Sequence, residues 1–425
     1  MKTYQKTLKN GLRTLIIPMK GNPTATVMIL VETGSKYETD HEMGLSHFLE
    51  HMCFKGTTQR PRAMDISREL DGLGAQSNAF TSHEYTGYYA KGEARHFGKL
   101  FDVISDVYLH STFPEAEIEK EKGVIVEEIN MYEDMPHRHV QDLFMGLLYG
   151  DQPAGRNIAG TRESVRSFTR ADFVRYHGKH YVPGATLVVV AGGVDAKKVS
   201  AEVARVFGKL PQAKKTGKKK VIDTQKAPAV RIKEKKTDQT HLVLGFRTFP
   251  VTDEKRNPAL AVLGTVLAGG MSSRLFEKLR EEMGVCYYVR AGNDPYTDHG
   301  YFEVSVGCDT KRVKEVISVI LAECARLKTE LVSTEELAKV KEYMVGNMLL
   351  ELESSDAYAN FYGGQAVLRR PLRTPREAEK RVRTVTAEDI QKVAKQVFTT
   401  KTLNLALIGP YTKADEKVFA KLLRV

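Results

Sequence analysis

The chain has 425 residues, which is too long for one compact hydrophobic core, so at least two domains are expected. Hydrophobic residues make up 42% and charged residues 28%, an ordinary composition for a globular protein, and the longest apolar runs are of strand length, which excludes a membrane span. The net charge of +11 is compatible with nucleic-acid binding, but no recognisable nucleic-acid-binding module accompanies it, so we expect no nucleic-acid partner.

The first residues lead directly into a turn at Asn10 and Gly11, between residues that favour strands. This start resembles neither a signal peptide nor an arginine-rich transit sequence, so we expect a cytoplasmic, bacterial-like protein. The four cysteines form no C-x-x-C pair and are expected to be reduced.

Residues 47–51 read HFLEH, and this motif is the strongest chemical signal in the chain. On a helix His47 and His51 share one face and can reach one metal ion, while Glu50 lies close enough to take a proton from the attacking water. The order inverts the commoner H-E-x-x-H zinc motif. Chance occurrence on a surface helix is the alternative, and the apolar spacing of the flanking residues, which predicts an embedded helix, argues against it. Those flanking residues are Leu45, Phe48, Leu49 and Met52.

A third metal ligand must come from elsewhere, because zinc hydrolases commonly use three protein ligands and leave one position for water. The best candidate segment is 115–131, where Glu121 and Glu128 lie two helical turns apart on one face. One could bind the metal while the other supports a ligand. The alternative is a solvated helix with Glu–Lys pairs, which residues 115–122 resemble.

The chain repeats itself with an offset of 216–219 residues. Segment 186–190 matches 402–407, and segment 113–128 matches 332–347. The second copy has Val340 in place of Glu121 and Asn347 in place of Glu128, and its counterpart of the histidine helix, 259–267, contains no histidine. A single metal site in the N-terminal half is therefore predicted.

These patterns predict an α+β fold of two homologous halves, each a mostly antiparallel or mixed sheet with helices on one side. The domains are predicted at 1–212 and 230–425, joined by a lysine- and proline-containing linker, 213–229, whose lysines we expect to be solvated. The predicted strands are 27–31, 85–90, 187–190, 242–246, 300–306 and 403–408, and the predicted helices are 64–73, 94–109, 311–327 and 334–352.

Three motifs in this order resemble the pitrilysin or insulysin-type (M16) zinc metallopeptidases. They are HFLEH followed by Glu128, the segment NAFTSHE at 78–84, and the segment 273–287 with Arg280 and Tyr287 seven apart. The short-chain branch, with the β subunit of mitochondrial processing peptidase and its bacterial relatives, is the most similar. Val285 and Cys286 stand where the family more often has Leu and Ala, a small apolar change.

The resemblance implies a zinc-dependent endopeptidase with one Zn²⁺ per chain. His47, His51 and Glu128 would bind the metal, Glu50 would be the general base, and Glu121 would steady a ligand histidine.

The resemblance also implies how peptides bind. Asn78, Ala79 and Phe80 would form an edge strand for an extended peptide, and Arg280 and Tyr287 would bind it near the scissile bond. Because both motifs occur in one polypeptide, we expect a homodimer that closes like a clamshell around a chamber and favours unfolded peptides or presequence-like segments.

Three alternatives differ in what they require. A structural subunit of a complex would lack the zinc residues, which this chain retains, and a peptide-binding regulatory subunit would not need Glu50. A nucleic-acid-binding protein would show steep salt dependence and no metal requirement.

Overall fold

The computed structural model describes residues 2–425. Its strands are β1 Tyr4–Thr7, β2 Arg13–Pro18, β3 Thr24–Val31, β4 Gln76–Thr81, β5 Thr86–Glu93, β6 Thr186–Gly192, β7 Ala229–Glu234, β8 Gln239–Thr248, β9 Cys286–Pro295, β10 Gly300–Asp309 and β11 Leu403–Gly409.

The α-helices are α1 Leu45–Cys53, α2 Ala63–Gly72, α3 Phe97–Leu109, α4 Glu115–Asp134, α5 Pro136–Tyr149, α6 Arg162–Ser167, α7 Arg170–His180, α8 Ala196–Phe207, α9 Arg256–Ala268, α10 Arg274–Phe276, α11 Val313–Thr329, α12 Thr334–Glu351, α13 Ser355–Val367, α14 Pro375–Arg383, α15 Ala387–Val397 and α16 Glu416–Leu422. A π-helical segment, Glu277–Glu282, follows α10 directly.

The chain forms two compact units, and neither is continuous in sequence. The first unit comprises the chain up to Asn130 together with Arg156–Lys219 and Leu350–Thr374. The second unit comprises Met131–Gly155, Lys220–Leu349 and Pro375–Val425. Helix α5 therefore belongs to the second unit and helix α13 to the first, so each unit includes a helix that the sequence places in the other half.

Each unit is built on one mixed sheet. The strand order is β1-β2-β6-β3-β5-β4 in the first unit and β7-β11-β8-β10-β9 in the second. The β2–β6 and β7–β11 pairs are parallel and the other pairs are antiparallel. From β2 onward the first sheet has the same order as the second, as expected for a duplicated α+β unit.

Helices cover both faces of each sheet. Along β3, Val27 and Ile29 pack in the larger core with α1 and α3, whereas Met28 and Leu30 pack against α13 on the opposite face. In the second unit the corresponding second face is covered by α5. Successive strand residues point to opposite faces, so buried residues at every position require a cover on both sides. The expectation of helices on one side only is therefore wrong.

Residues 213–219 have no helix or strand but are not free in solvent. Lys215 pairs with Glu32, and Lys218 pairs with Glu84 at 2.8 Å while only 14% of its side chain is exposed. The expectation that the linker lysines are solvated is wrong for Lys218, whereas Lys215 pairs with Glu32 and remains exposed.

The predicted strands and helices are all present, with ends shifted by a few residues. Among the helices that residues 2–425 form, none is long and apolar enough to cross a membrane.

Candidate metal centre

Helix α1 carries His47, Glu50 and His51 and is fixed at its start. It follows Gly44, whose φ of 91° favours glycine, and a Cβ there would lie 2.6 Å from the carbonyl oxygen of Ala159. The two side-chain oxygens of Glu38 accept hydrogen bonds from the N–H groups of Gly44 at 2.9 Å and Ser46 at 2.7 Å, which satisfies donors at the helix start. The apolar side of the helix is fully buried, as the spacing of its residues predicted. It consists of Leu45, Phe48, Leu49 and Met52.

The structure brings the three predicted metal ligands together. Glu128 Oε2 lies 3.7 Å from His47 Nε2 and 3.7 Å from His51 Nε2. Ligand atoms bound tetrahedrally to zinc at its usual bond lengths are about 3.4 Å apart, so each histidine nitrogen is close to the required distance from Glu128. Within residues 2–425 this is the one group of three or more histidine, cysteine or acidic side chains whose ligand atoms converge in this way.

Glu121 supports one of these ligands from behind. Its Oε1 lies 2.9 Å from His51 Nδ1, and its Oε2 lies 2.5 Å from Lys55 Nζ. When His51 Nδ1–H donates to Glu121, the lone pair of His51 is on Nε2, the atom that faces Glu128. Glu121 is 4% exposed, so the alternative of a solvated surface residue does not describe it.

The electrostatics of the cluster suit a dication. Burial and the nearby His51 lower the pKa of His47 to about 3, so His47 is a neutral imidazole at pH 7. Burial would lower the pKa of His51, but hydrogen bonding to Glu121 and the charges of Glu50 and Glu128 outweigh it and raise the pKa. An excess of carboxylates around two imidazoles is an environment that a bound cation stabilises.

Glu50 lies beside this cluster with one of its oxygens engaged. The hydroxyl of Thr81 donates to Glu50 Oε2 at 2.7 Å. Burial raises the pKa of Glu50, and the hydrogen bond from Thr81 opposes that rise. A carboxylate with a raised pKa is better matched to proton transfer near neutral pH than a solvated one.

Strand β4 is an edge strand, as predicted for residues 78–81. It pairs with β5 and ends the sheet of the first unit. Asn78 is exposed, and Ala79 and Phe80 are half-buried. Helix α1 packs against β4, so this open edge runs beside the helix that carries two of the candidate metal ligands, His47 and His51.

Arg280 and Tyr287 contact each other in the second unit. Arg280 lies in the π-helical segment, donates from Nη1 to the carbonyl oxygen of Cys286 at 2.9 Å, and stacks over the Tyr287 ring at 5.2 Å. Tyr287 is 74% exposed on β9, an edge strand of its sheet. Single-turn π-helical segments often mark functional sites.

Sequence reasoning missed the contacts that hold the predicted residues in place. Lys55 lies four residues after His51, so helical spacing could have suggested its contact with Glu121. No local spacing could have indicated that Thr81 meets Glu50 or that Glu38 binds the start of α1.

Comparison with known proteins identifies the family. Residues 13–162 match the family description "Insulinase (Peptidase family M16)", and residues 167–344 match "Peptidase M16 inactive domain". An uncharacterized zinc protease of Bacillus subtilis is 37% identical over 409 residues, covering 95% of this chain and 97% of its own. An uncharacterized zinc protease of Streptomyces coelicolor is 34% identical over 413 residues, covering 95% and 89%.

Solved structures share the fold at lower identity. A protease from Helicobacter pylori superposes with a TM-score of 0.89 at 22% identity, over 96% of this chain and 99% of its own. A peptidase M16 inactive domain from Pseudomonas fluorescens superposes with a TM-score of 0.89 at 18% identity, over 97% and 99%. With both family matches and close relatives along nearly its whole length, the chain belongs to peptidase family M16.

Proposed function

We propose that this protein is a zinc-dependent endopeptidase that hydrolyses unfolded peptides or presequence-like segments. The observation that carries the proposal is the convergence of His47, His51 and Glu128 beside Glu50, with Nε2 of each histidine 3.7 Å from Glu128 Oε2. The names of the relatives, zinc proteases, agree with this chemistry.

Each residue has a distinct role in this proposal. His47, His51 and Glu128 would hold one Zn²⁺ per chain, which supplies Lewis-acid polarisation of the scissile carbonyl and a lowered pKa for water. Glu50 accepts the proton of the attacking water and delivers it to the leaving amine. Glu121 orients His51 through Nδ1 and does not touch the substrate.

Substrate binding would use the open edge of β4. The backbone of an extended peptide can add to an edge strand through main-chain hydrogen bonds, which accept many sequences. Asn78, Ala79 and Phe80 would line this strand. Arg280 and Tyr287 would bind peptide carbonyls near the scissile bond, as a guanidinium and a phenol can donate hydrogen bonds to them.

The proposed assembly follows from the same reasoning. Because this one polypeptide carries both the zinc motif and the Arg280–Tyr287 pair, two identical chains would form a complete homodimer around a chamber.

The test is hydrolysis of a quenched fluorescent peptide library by the wild type and by Glu50→Gln, with bound zinc quantified in both. We expect the variant to retain zinc and to lose activity. Equal activity in both would refute the assignment of Glu50. Peptide binding without cleavage by the zinc-loaded wild type would support the non-catalytic alternative, and light scattering on the same samples would test the homodimer.

A further inference from the structure

The contact between Thr81 and Glu50 joins the edge strand to the proposed base. Thr81 is the last residue of β4, and its hydroxyl donates to Glu50 Oε2 at 2.7 Å. Within residues 2–425, Glu50 Oε1 accepts no hydrogen bond. One oxygen of the carboxylate is therefore fixed while the other is open to exchange a proton.

The turn that follows Thr81 is held firmly. Residues 82–85 close the β4–β5 hairpin, and the Ser82 N–H donates to the Tyr85 carbonyl at 2.9 Å. The Ser82 and His83 carbonyls accept hydrogen bonds from the N–H groups of Ser35 and Lys36, at 3.3 and 2.9 Å. These three backbone hydrogen bonds fix the turn that directly follows Thr81.

A buried ion pair anchors the same turn. Lys36 and Lys218 both contact Glu84 Oε1, at 2.9 and 2.8 Å, and the side chains of Lys36 and Glu84 are 0% and 3% exposed. Separating a buried ion pair is costly, because each charge is then left buried without its partner. The ion pair therefore holds the turn against segment 35–38.

The partner of Thr81 is anchored to the same stretch of chain. Segment 35–38 contacts both elements. Ser35 and Lys36 donate to the β4–β5 turn, and Glu38, two residues after Lys36, accepts from the N-terminal end of α1. The strand end and the helix that bears Glu50 are thus tied to one short segment. Because both elements are held by the same segment, the Thr81 hydroxyl and the Glu50 side chain are kept at a fixed distance from each other.

We propose that Thr81 is a positioning residue for the general base: its hydroxyl holds one oxygen of Glu50 so that the other carries the proton, and it links the base to the strand that receives the peptide. This inference rests on the proposed peptidase function. It extends that function, because it assigns a residue outside helix α1 to the orientation of Glu50.

The chain offers matched variants. Thr81→Val keeps the shape and the strand preference but removes the hydroxyl, and Thr81→Ser restores it. Thr14 on β2 is a control, because its hydroxyl donates to the Lys6 carbonyl on the same sheet, away from α1. Thr14→Val removes a strand threonine hydroxyl without touching Glu50.

The experiment measures kcat, KM and zinc content for all three variants, the wild type and Glu50→Gln. We expect Thr81→Val to lower kcat about ten- to a hundred-fold, the range for losing a hydrogen bond to a charged group, with KM and zinc content unchanged. Thr81→Ser should recover most of kcat, and Thr14→Val should match the wild type.

The outcomes separate this inference from the proposed function. If Glu50→Gln is inactive but Thr81→Val equals the wild type, the positioning role is wrong and the peptidase assignment stands. If Thr81→Val raises KM or loses zinc in proportion to its loss of activity, Thr81 acts structurally and the inference is overturned. A zinc-loaded wild type without activity overturns both.

Discussion

Replacing Glu121 by Gln should weaken zinc binding without unfolding the protein. Glu121 accepts from His51 Nδ1 at 2.9 Å and lies 2.5 Å from Lys55 Nζ, with 4% of its surface exposed. Burial would raise the pKa of Glu121, but the hydrogen bonds of His51 and Lys55 outweigh it and lower the pKa, so the native group is a carboxylate. Gln keeps the size of the side chain and removes its charge.

The magnitude follows from these two contacts. A glutamine has one carbonyl oxygen, so it can accept from His51 or from Lys55 but not from both through separate oxygens. Its amide NH₂ would face the other donor. Loss of a supporting carboxylate typically lowers metal affinity 10- to 100-fold, which corresponds to about 1.4–2.7 kcal/mol.

The assay is competition for zinc against a chromophoric chelator at pH 7.5. Glu119→Gln is the matched control, because Glu119 lies on the same helix, is exposed, and pairs with Lys122 at 2.7 Å. We expect the control to bind zinc like the wild type. A zinc affinity of Glu121→Gln equal to that of the wild type would refute the supporting role of Glu121, provided that both proteins show the same thermal unfolding midpoint with zinc in excess.

Two further predictions concern stability. Burial lowers the pKa of His180 to about 4 from its ordinary 6.5, so between pH 7 and pH 5 the unfolded chain takes up a proton that the folded chain does not, and the free energy of unfolding falls as the pH falls. His180→Gln should reduce that fall by about 1–2 kcal/mol in denaturant titrations at the two pH values, and an unchanged fall would contradict the shift. Gly44→Ala should destabilise the protein by about 1–3 kcal/mol, because φ is 91° and a Cβ would lie 2.6 Å from the Ala159 oxygen. Gly74→Ala, with φ of 60° and open space around it, should cost clearly less in the same titrations, and equal costs would exclude the clash as the cause.

Much of the fold could be predicted because the strongest signals are local. The spacing of Leu45, Phe48, Leu49 and Met52 predicted a buried helix, and all four are fully buried in α1. The duplication offset predicted two homologous α+β halves, and the two sheets share one strand order from β2 onward. These predictions are confirmed because periodicity depends only on the residues of one element, and repetition only on a comparison of the two halves of the sequence.

The exchanged helices could not be predicted in the same way. Helices α5 and α13 follow the two long helices α4 and α12, and each packs on the sheet of the other sequence half. An apolar helix face shows that it needs a partner but not which sheet supplies it. The choice depends on packing between residues more than a hundred positions apart.

The same distinction between local spacing and long-range packing applies to the candidate site. His47, Glu50 and His51 were predicted from helical spacing, and Glu128 from a second helix with a resemblance to support it. The contact of Thr81 with Glu50 joins residues 31 positions apart on different elements, and only the folded chain reveals it. Supporting contacts of this kind leave no periodic trace in a sequence.

The most direct test of the account is a crystal structure of the zinc-loaded protein, with anomalous scattering data collected on both sides of the zinc absorption edge. The account predicts one zinc peak per chain, within about 2.0–2.2 Å of His47 Nε2, His51 Nε2 and a carboxylate oxygen of Glu128. A zinc peak elsewhere, or none at this site in protein shown to contain zinc, would contradict it.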